Sequence, residues 1–370
     1  MVTRFREIIQ SFDNKTIVCY GIPPTRPYFG IEPFIHLQRH GINPSCYADS
    51  YRYGEEYCGK KIISPNELLT LDRHESIVVV IYCSAVHEVF DDLTTRGLRG
   101  EIFCLPSFID EIDGSAFLLP DEKTDVFFND IPKVRANLSD NVSQNILDAI
   151  IEGRKWLSPK SFAKAFNLSL SVSGSLPFFI KEVMEYIPED GIAFIDCGAY
   201  DGDTILAMVE SGIQFKNTFC FEPDEKNHSL LLKRISKLGL DTHVSAIKAG
   251  VWNKTTQVYF NNKGNDSSHV ITETGGVENT IDVVAIDDFF TDQHRIDMIK
   301  MDIEGAELEA LQGAIKTIKR ERPILAVCLY HKFFDLARIP LFLMEQLENY
   351  NFLLRQHDGM AETILYGLPR

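Results

Sequence analysis

The chain is short of positive charge. Its 37 Lys and Arg stand against 53 Asp and Glu over 370 residues, a formal net charge of -16, which argues against binding bulk nucleic acid or an anionic membrane surface through charge. No apolar run approaches the roughly 18 residues of a membrane span. Met1 to Phe12 mixes Arg4, Arg6 and Glu7 into an amphipathic pattern unlike the core of a signal peptide. None of the 8 cysteines forms a Cys-x-x-Cys pair. Six of them (Cys19, Cys83, Cys104, Cys197, Cys220, Cys328) sit in apolar runs, as buried reduced thiols do. A Gly-x-Gly-x-x-Gly fingerprint is missing, no repeat or low-complexity tract stands out, and the histidines show no metal-binding spacing. Together these absences predict a cytoplasmic protein acting on a small molecule, with no nucleic-acid or membrane partner, no required metal, and self-association left open.

What is present is a hydrophobic fraction of 45%, enough for two domains that each bury a core. From Thr16 to about Pro106, apolar strands (Ile17 to Tyr20, Ile77 to Cys83, Glu101 to Leu105) alternate with helical segments (Glu32 to His40, Val86 to Arg96). This is the rhythm of a small Rossmann-like α/β domain, placed at 1–120. Its first strand runs into Gly21-Ile22-Pro23-Pro24-Thr25-Arg26-Pro27. Prolines lack the N–H donors of a phosphate cradle, so a docking or substrate-presenting role is the simpler reading. Residues 121–190 carry helical patterns, such as Val142 to Trp156 and Pro177 to Tyr186, and read as a helical connector. A second alternating series fills 191–370, with strands at Ile192 to Asp196, Thr218 to Glu222, His243 to Val251, Asp297 to Asp302, Ile324 to Tyr330, Phe352 to Arg355 and Thr363 to Gly367. That order predicts a mostly parallel α/β sheet with helices on both faces and an antiparallel final strand.

The chemistry concentrates where the first of these strands ends. Phe194-Ile195-Asp196-Cys197-Gly198-Ala199-Tyr200-Asp201-Gly202-Asp203-Thr204 reads as strand, glycine turn and helix start. Gly198 and Gly202 allow a ligand close to the backbone. A pyrophosphate wants bare N–H groups, whereas Asp196, Asp201 and Asp203 favour a cationic ligand. S-adenosylmethionine, with its sulfonium and ammonium groups, meets that requirement. The second strand ends at Glu222, about 20 residues beyond the turn, where a carboxylate receives ribose hydroxyls, and Pro223 stiffens the following turn.

Asp302 and Glu304 follow the fourth strand on the rim where the transferred group would lie, and Leu308, Leu311, Ile315 and Ile318 form the apolar stripe of the next helix. Glu304 and Glu307 also suit a helix N-terminus, and for Glu307 that is the preferred reading. His331 ends the next strand on the same rim and is the first choice for a general base on an acceptor hydroxyl. Lys332 beside it suits an anionic part of the acceptor or plain solvent. Asp266 and Ser267, in the polar segment after Val258 to Phe260, are further cofactor-side candidates beside a plain hairpin reading.

Asp196-Cys197-Gly198-Ala199-Tyr200, Phe221-Glu222-Pro223, Lys300-Met301-Asp302-Ile303-Glu304-Gly305-Ala306-Glu307 and Tyr330-His331-Lys332 together resemble the FkbM-type methyltransferases. The likeness covers roughly Ile192 to Pro369. It implies a class I S-adenosylmethionine-dependent fold that methylates hydroxyl groups, often on sugars or glycosylated natural products. An added N-terminal α/β domain implies a lean towards glycan pathways. Beside this stand a catalytically idle module that senses S-adenosylmethionine or a nucleotide sugar, and an NAD-dependent oxidoreductase, which the acidic turn and the missing fingerprint disfavour.

Overall fold

A computed structural model describes residues 8–22, 41–83, 85–104, 121–174, 176–261, 269–271, 280–290, 295–359 and 362–370. The expected helix Glu32 to His40 and the candidates Asp266 and Ser267 lie outside the described residues. The chain divides into two compact units, one of Met1–Arg135, Asn141–Ser171 and Arg355–Thr363, the other of Ala136–Asp140, Val172–Leu354 and Ile364–Arg370. Residues 121–190 are therefore shared between the units. The helices Asn141–Trp156 and Pro159–Ser173 bury Ile146, Leu147, Ile150, Phe162 and Ala165, as core helices do.

In the first unit, β1 (Thr16–Tyr20), β2 (Cys46–Ala48), β3 (Glu56–Tyr57), β4 (Lys60–Ile63), β5 (Ile77–Ile81) and β6 (Glu101–Cys104) form a sheet of order β3-β4-β2-β1-β5-β6. All pairings are parallel except the β3–β4 hairpin. β5, Ile-Val-Val-Val-Ile, is buried throughout, as a parallel strand covered on both faces must be. The helix Pro65–His74 starts with a capping box in which Ser64 and Glu67 each receive the other's backbone N–H.

The second unit holds β7 (Ile192–Cys197), β8 (Phe215–Phe221), β9 (Val244–Ile247), β14 (Met298–Met301), β15 (Ile324–Cys328), β16 (Tyr350–Gln356) and β17 (Thr363–Pro369) in the order β16-β17-β15-β14-β7-β8-β9. Strands β7, β8, β9, β14 and β15 pair in parallel, and β17 runs antiparallel to β15. The fold class expected from the sequence is the one observed. From β7 the chain lays β8 and β9 to one side and later β14 and β15 to the other. A crevice therefore opens beyond the carboxyl ends of β7 and β14, the place where such sheets take ligands.

Two expected elements are corrected. The strand expected over His243 to Val251 breaks after Ile247, where Ala249 N–H turns back to the Ile247 carbonyl. β10 (Gly250–Val251) then joins β11 (Thr256–Asn261), β12 (His269–Ile271) and β13 (Thr280–Val284) in a separate sheet of order β10-β13-β11-β12. The helix carrying Leu308 to Ile318 is two pieces, Glu307–Gln312 and Ile315–Glu321, because Gly313 packs against the Trp252 carbonyl.

A Cβ on Gly313 would lie 2.2 Å from the Trp252 carbonyl oxygen, so backbone must move to admit it. Gly313→Ala is expected to cost about 1–3 kcal/mol, the range for forced overpacking. At Gly212, with φ of 71° and nothing within 4 Å, Ala meets only left-handed strain. Denaturant midpoints of the two variants check this, and an equal or smaller loss at Gly313 contradicts it.

Candidate active site

Asp196 and Lys300 face each other in register across β7 and β14. Their charged atoms are 2.9 Å apart with side chains 0% and 3% exposed. A lysine in the run Met298-Ile299-Lys300-Met301 has no water to reach and must find a carboxylate. The same Nζ donates to the Gly198 carbonyl at 2.7 Å and lies 5.1 Å from the centre of the Phe178 ring. Burial pushes the Asp196 carboxyl up to about 6 although Lys300 pulls it down. At Lys300 the balance is reversed: burial opposes the charge, but Asp196, Asp302 and Asp203 together hold the ammonium well above its ordinary value.

The turn after β7 is built on this pair. Gly198 has φ of 81°, and a Cβ there would sit 1.9 Å from the Asp302 carbonyl oxygen. Glycine is required both for the left-handed backbone and for the approach of β7 to β14. The Gly198 and Ala199 N–H groups donate to the Phe221 carbonyl at 3.0 and 3.1 Å, and Gly202 N–H closes the turn on the Ala199 carbonyl at 2.8 Å. Glu222 locks its other side, receiving Tyr200 N–H on Oε2 and Asp224 N–H on Oε1, both at 2.9 Å. Burial pushes the Glu222 carboxyl up to about 7, against the pull of these two N–H groups.

The acidic turn is not the bare anionic ring that its composition suggests, and that expectation is corrected. Asp196 is spent on Lys300, and Asp201 pairs with Arg234 at 2.7 Å from the neighbouring helix Glu225–Lys237. Asp203 is exposed at the start of the helix Asp203–Glu210 and receives Thr204 N–H at 2.7 Å. Tyr200, with φ of 47°, is exposed, Thr204 is buried and Pro223 half-buried.

An excess of negative charge gathers instead beyond β14 and β15. His331 Nε2 stands 3.3 Å from Asp302 Oδ1 and 3.7 Å from Glu304 Oε2, so the three rim candidates come together. Glu304 sits at φ of 55° and Gly305 at 91°, a left-handed pair that turns the chain back over the strand end. Glu307, expected only to stabilise a helix N-terminus, is fully buried and receives both Ile303 N–H and His331 Nδ1–H on Oε1 at 2.8 Å. Tyr330 Oη donates to Asp302 Oδ1 at 3.1 Å. Asp335 is buried nearby, its carboxyl pushed up to about 7 by burial and by Glu307.

At His331 burial disfavours charge, but Glu307, Glu304 and Asp302 outweigh it and hold the ring towards imidazolium. Burial likewise opposes ionisation at Asp302, yet His331, Lys300 and Tyr330 hold its carboxyl well below the usual range. Such surroundings do not suit the neutral resting base expected at His331. Lys300 and Glu307 are the residues that sequence reasoning left out of the site. The lysine was signalled by a lone cation in an apolar strand; the glutamate carried no such signal, because its partner lies 24 residues away.

Glu222 gives a direct check. Its carboxyl lies above its ordinary value of 4.5, so the folded chain holds the proton more tightly than the unfolded one. The associated stabilisation is fully present below that ordinary value and is lost as pH rises through about 7. Relative to Glu222→Gln, which cannot titrate, the melting temperature of the wild type is expected to fall by several degrees between about pH 5 and about pH 8, at roughly 2–4 °C per kcal/mol for a unit of this size. A difference that stays flat or widens in favour of the wild type contradicts the assignment.

Residues 196–354 match the methyltransferase FkbM domain. The solved structure of a methyltransferase FkbM from Methylobacillus flagellatus KT aligns with 98% of this chain and 93% of its own at 22% identity and a TM-score of 0.67. An rRNA methylase from Streptococcus thermophilus (15% identity, 51% of this chain and 92% of that one, TM-score 0.34) and a precorrin-6y C5,15-methyltransferase from Geobacter metallireducens GS-15 (12%, 51% and 85%, 0.32) align with about half of the chain. No curated protein matches it. Among the described residues no helix is long and apolar enough to cross a membrane. The second unit, with its strand order, its glycine turn and its matching residues, carries an FkbM methyltransferase domain.

Proposed function

We propose that the protein is an S-adenosylmethionine-dependent O-methyltransferase whose acceptor is a hydroxyl of a sugar or glycosylated small molecule. The observation that carries the reading is the meeting, at one crevice, of a glycine turn locked by Glu222 and a charged cluster of Asp302, Glu304 and His331. The donor set fits the cofactor. Each Glu222 oxygen takes one backbone N–H and keeps a lone pair for a ribose hydroxyl. Asp203 is exposed at the turn to meet positive charge. When bound, S-adenosylmethionine supplies a methyl group on a positively charged sulfur that departs as a neutral thioether.

The protein's own part is positioning and charge. Asp302 and Glu304, each with its side chain 26% exposed, reach the rim and accept hydrogen bonds from the hydroxyls of the acceptor. Holding an acceptor oxygen in line with the methyl carbon removes most of the entropy of encounter. The acceptor gives up its hydroxyl proton within this cluster as the new C–O bond forms. Glu307 fixes the ring of His331, and the Asp196–Lys300 pair holds the turn that sets the distance between the two halves of the site. The first unit acts as a docking or substrate-presenting domain. Free, mostly buried thiols support a cytoplasmic setting.

Calorimetry with S-adenosylhomocysteine and with NAD is expected to give binding of the first only, and tight binding of NAD alone rejects the reading. A screen of glycans and small hydroxyl compounds with a labelled methyl donor identifies the acceptor. His331→Ala is expected to lower turnover by about 100-fold or more, the scale of a lost proton-handling group, with S-adenosylhomocysteine affinity nearly unchanged. Glu222→Ala is expected to weaken that affinity roughly 10-fold, as loss of a charged hydrogen bond does. Turnover unaffected by His331→Ala removes the residue from the chemistry.

A further inference from the structure

We propose that Asp302, Glu304 and His331 form a divalent-cation site, with Glu307 as the residue that orients the histidine. The first observation is a buried ring nitrogen. His331 is buried with its side chain 4% exposed, and its Nε2 faces two carboxylates without a well-aligned hydrogen bond. Nε2 faces the carboxylate oxygens of Asp302 and Glu304 at 3.3 and 3.7 Å. Bonds of about 2.0–2.2 Å to a metal place neighbouring ligand atoms roughly 3.0–3.6 Å apart, so the spacing of Nε2 and Asp302 Oδ1 suits one ion, and Glu304 has to turn inward to join them.

The second observation is the support behind the ring. Glu307 receives Nδ1–H at 2.8 Å and is itself held by Ile303 N–H at 2.8 Å. Once an ion displaces the Nε2 proton, that bond keeps the lone pair on Nε2, facing the carboxylates, which is how metal-bound histidines are oriented. Asp302, Glu307 and His331 can each bring one donor atom within 4.8 Å of the others, the one such group among the described residues. Since Glu307 is committed to Nδ1, it takes the supporting place, and Glu304, outside that group but 3.7 Å from Nε2, turns inward to supply the third ligand. Charge points the same way, because three carboxylates around one imidazole leave a negative excess for a divalent ion to offset.

One imidazole and two carboxylates suit Mn2+, Fe2+ or Zn2+ better than Mg2+ or Ca2+, which prefer oxygen alone. Three protein ligands leave coordination positions open on the crevice side. Two adjacent hydroxyls of an acceptor fill them, which narrows the substrate class to vicinal diols such as those of sugars. Use of the ion in catalysis rests on the function proposed above; its binding does not. In that use the ion polarises the acceptor hydroxyl, the proton leaves to solvent, and the C–O bond forms as the methyl C–S bond breaks. His331 then serves as a ligand, not as a base.

The test is titration of the full chain, stripped with a chelator, with Mn2+ by calorimetry and with Co2+ by visible absorption. One equivalent is expected to bind, with d–d bands for Co2+. His331→Gln and Asp302→Asn are expected to weaken binding at least about 100-fold, and Glu307→Gln about 10- to 100-fold as a supporting residue. Circular dichroism checks that each variant folds. Should the buried positions fail to fold, Glu304→Gln on the rim is expected to weaken binding at least 10-fold. Absence of binding at millimolar Mn2+, Co2+ and Zn2+, or binding that His331→Gln leaves unchanged, overturns the site. Methyl transfer that persists after chelation in a protein binding no ion overturns the ion and leaves the enzyme standing. Stoichiometric ion binding without S-adenosylhomocysteine binding or methyl transfer supports the ion and rejects the enzyme.

Discussion

The buried ion pair of Asp196 and Lys300 sits where the two halves of the second unit's sheet diverge, and the geometry of the crevice follows from it. A lone charge at this depth would be prohibitive, and breaking such a pair typically costs about 3–5 kcal/mol because the survivor is left uncompensated. Neither residue can change alone. By donating also to the Gly198 carbonyl, Lys300 fastens the turn to β14 and not merely to its own strand. Gly198 completes the lock, since its missing Cβ is what allows the Asp302 carbonyl to approach.

From that lock the charges of the site fall into two groups. Around the glycine turn, carboxylates are matched: Asp196 by Lys300, Asp201 by Arg234, and Glu222 by two backbone N–H groups. They shape the loop and hold it still. Beyond β14 and β15 the carboxylates outnumber the cations, with Asp302, Glu304 and Glu307 around His331. Such an excess of like charge is the kind of surroundings in which perturbed groups cluster. The two sides of the sheet opening thus differ, one with its charges matched and one with carboxylates in excess.

Much of this was legible from residue order. Alternating apolar runs gave the parallel sheet, because strands covered on both faces must be apolar throughout, and the positions of Asp302, Glu304 and His331 at strand ends put them on one rim. Less legible were the breaks at Ala249, a local turn onto the Ile247 carbonyl, and at Gly313, set by the approach of the Trp252 backbone 61 positions away. The place of Glu307 was hidden for a similar reason. Four acidic residues in eleven, from Asp302 to Gln312, read alike as charges near a helix start, and only the packing of β14 against β15 decides which of them meets an imidazole.

By itself the sequence determined the class of fold, the glycine turn and the set of side chains available for chemistry, since these depend on periodicity, on backbone freedom and on residue type. Tertiary structure alone decided which charges are spent on one another and which remain. Ion pairing depends on distances of a few ångströms between residues a hundred positions apart, and no local pattern encodes them. Asp196 and Lys300 are 104 positions apart in the chain and 2.9 Å apart in space, and that contact turns a candidate ligand into a structural post.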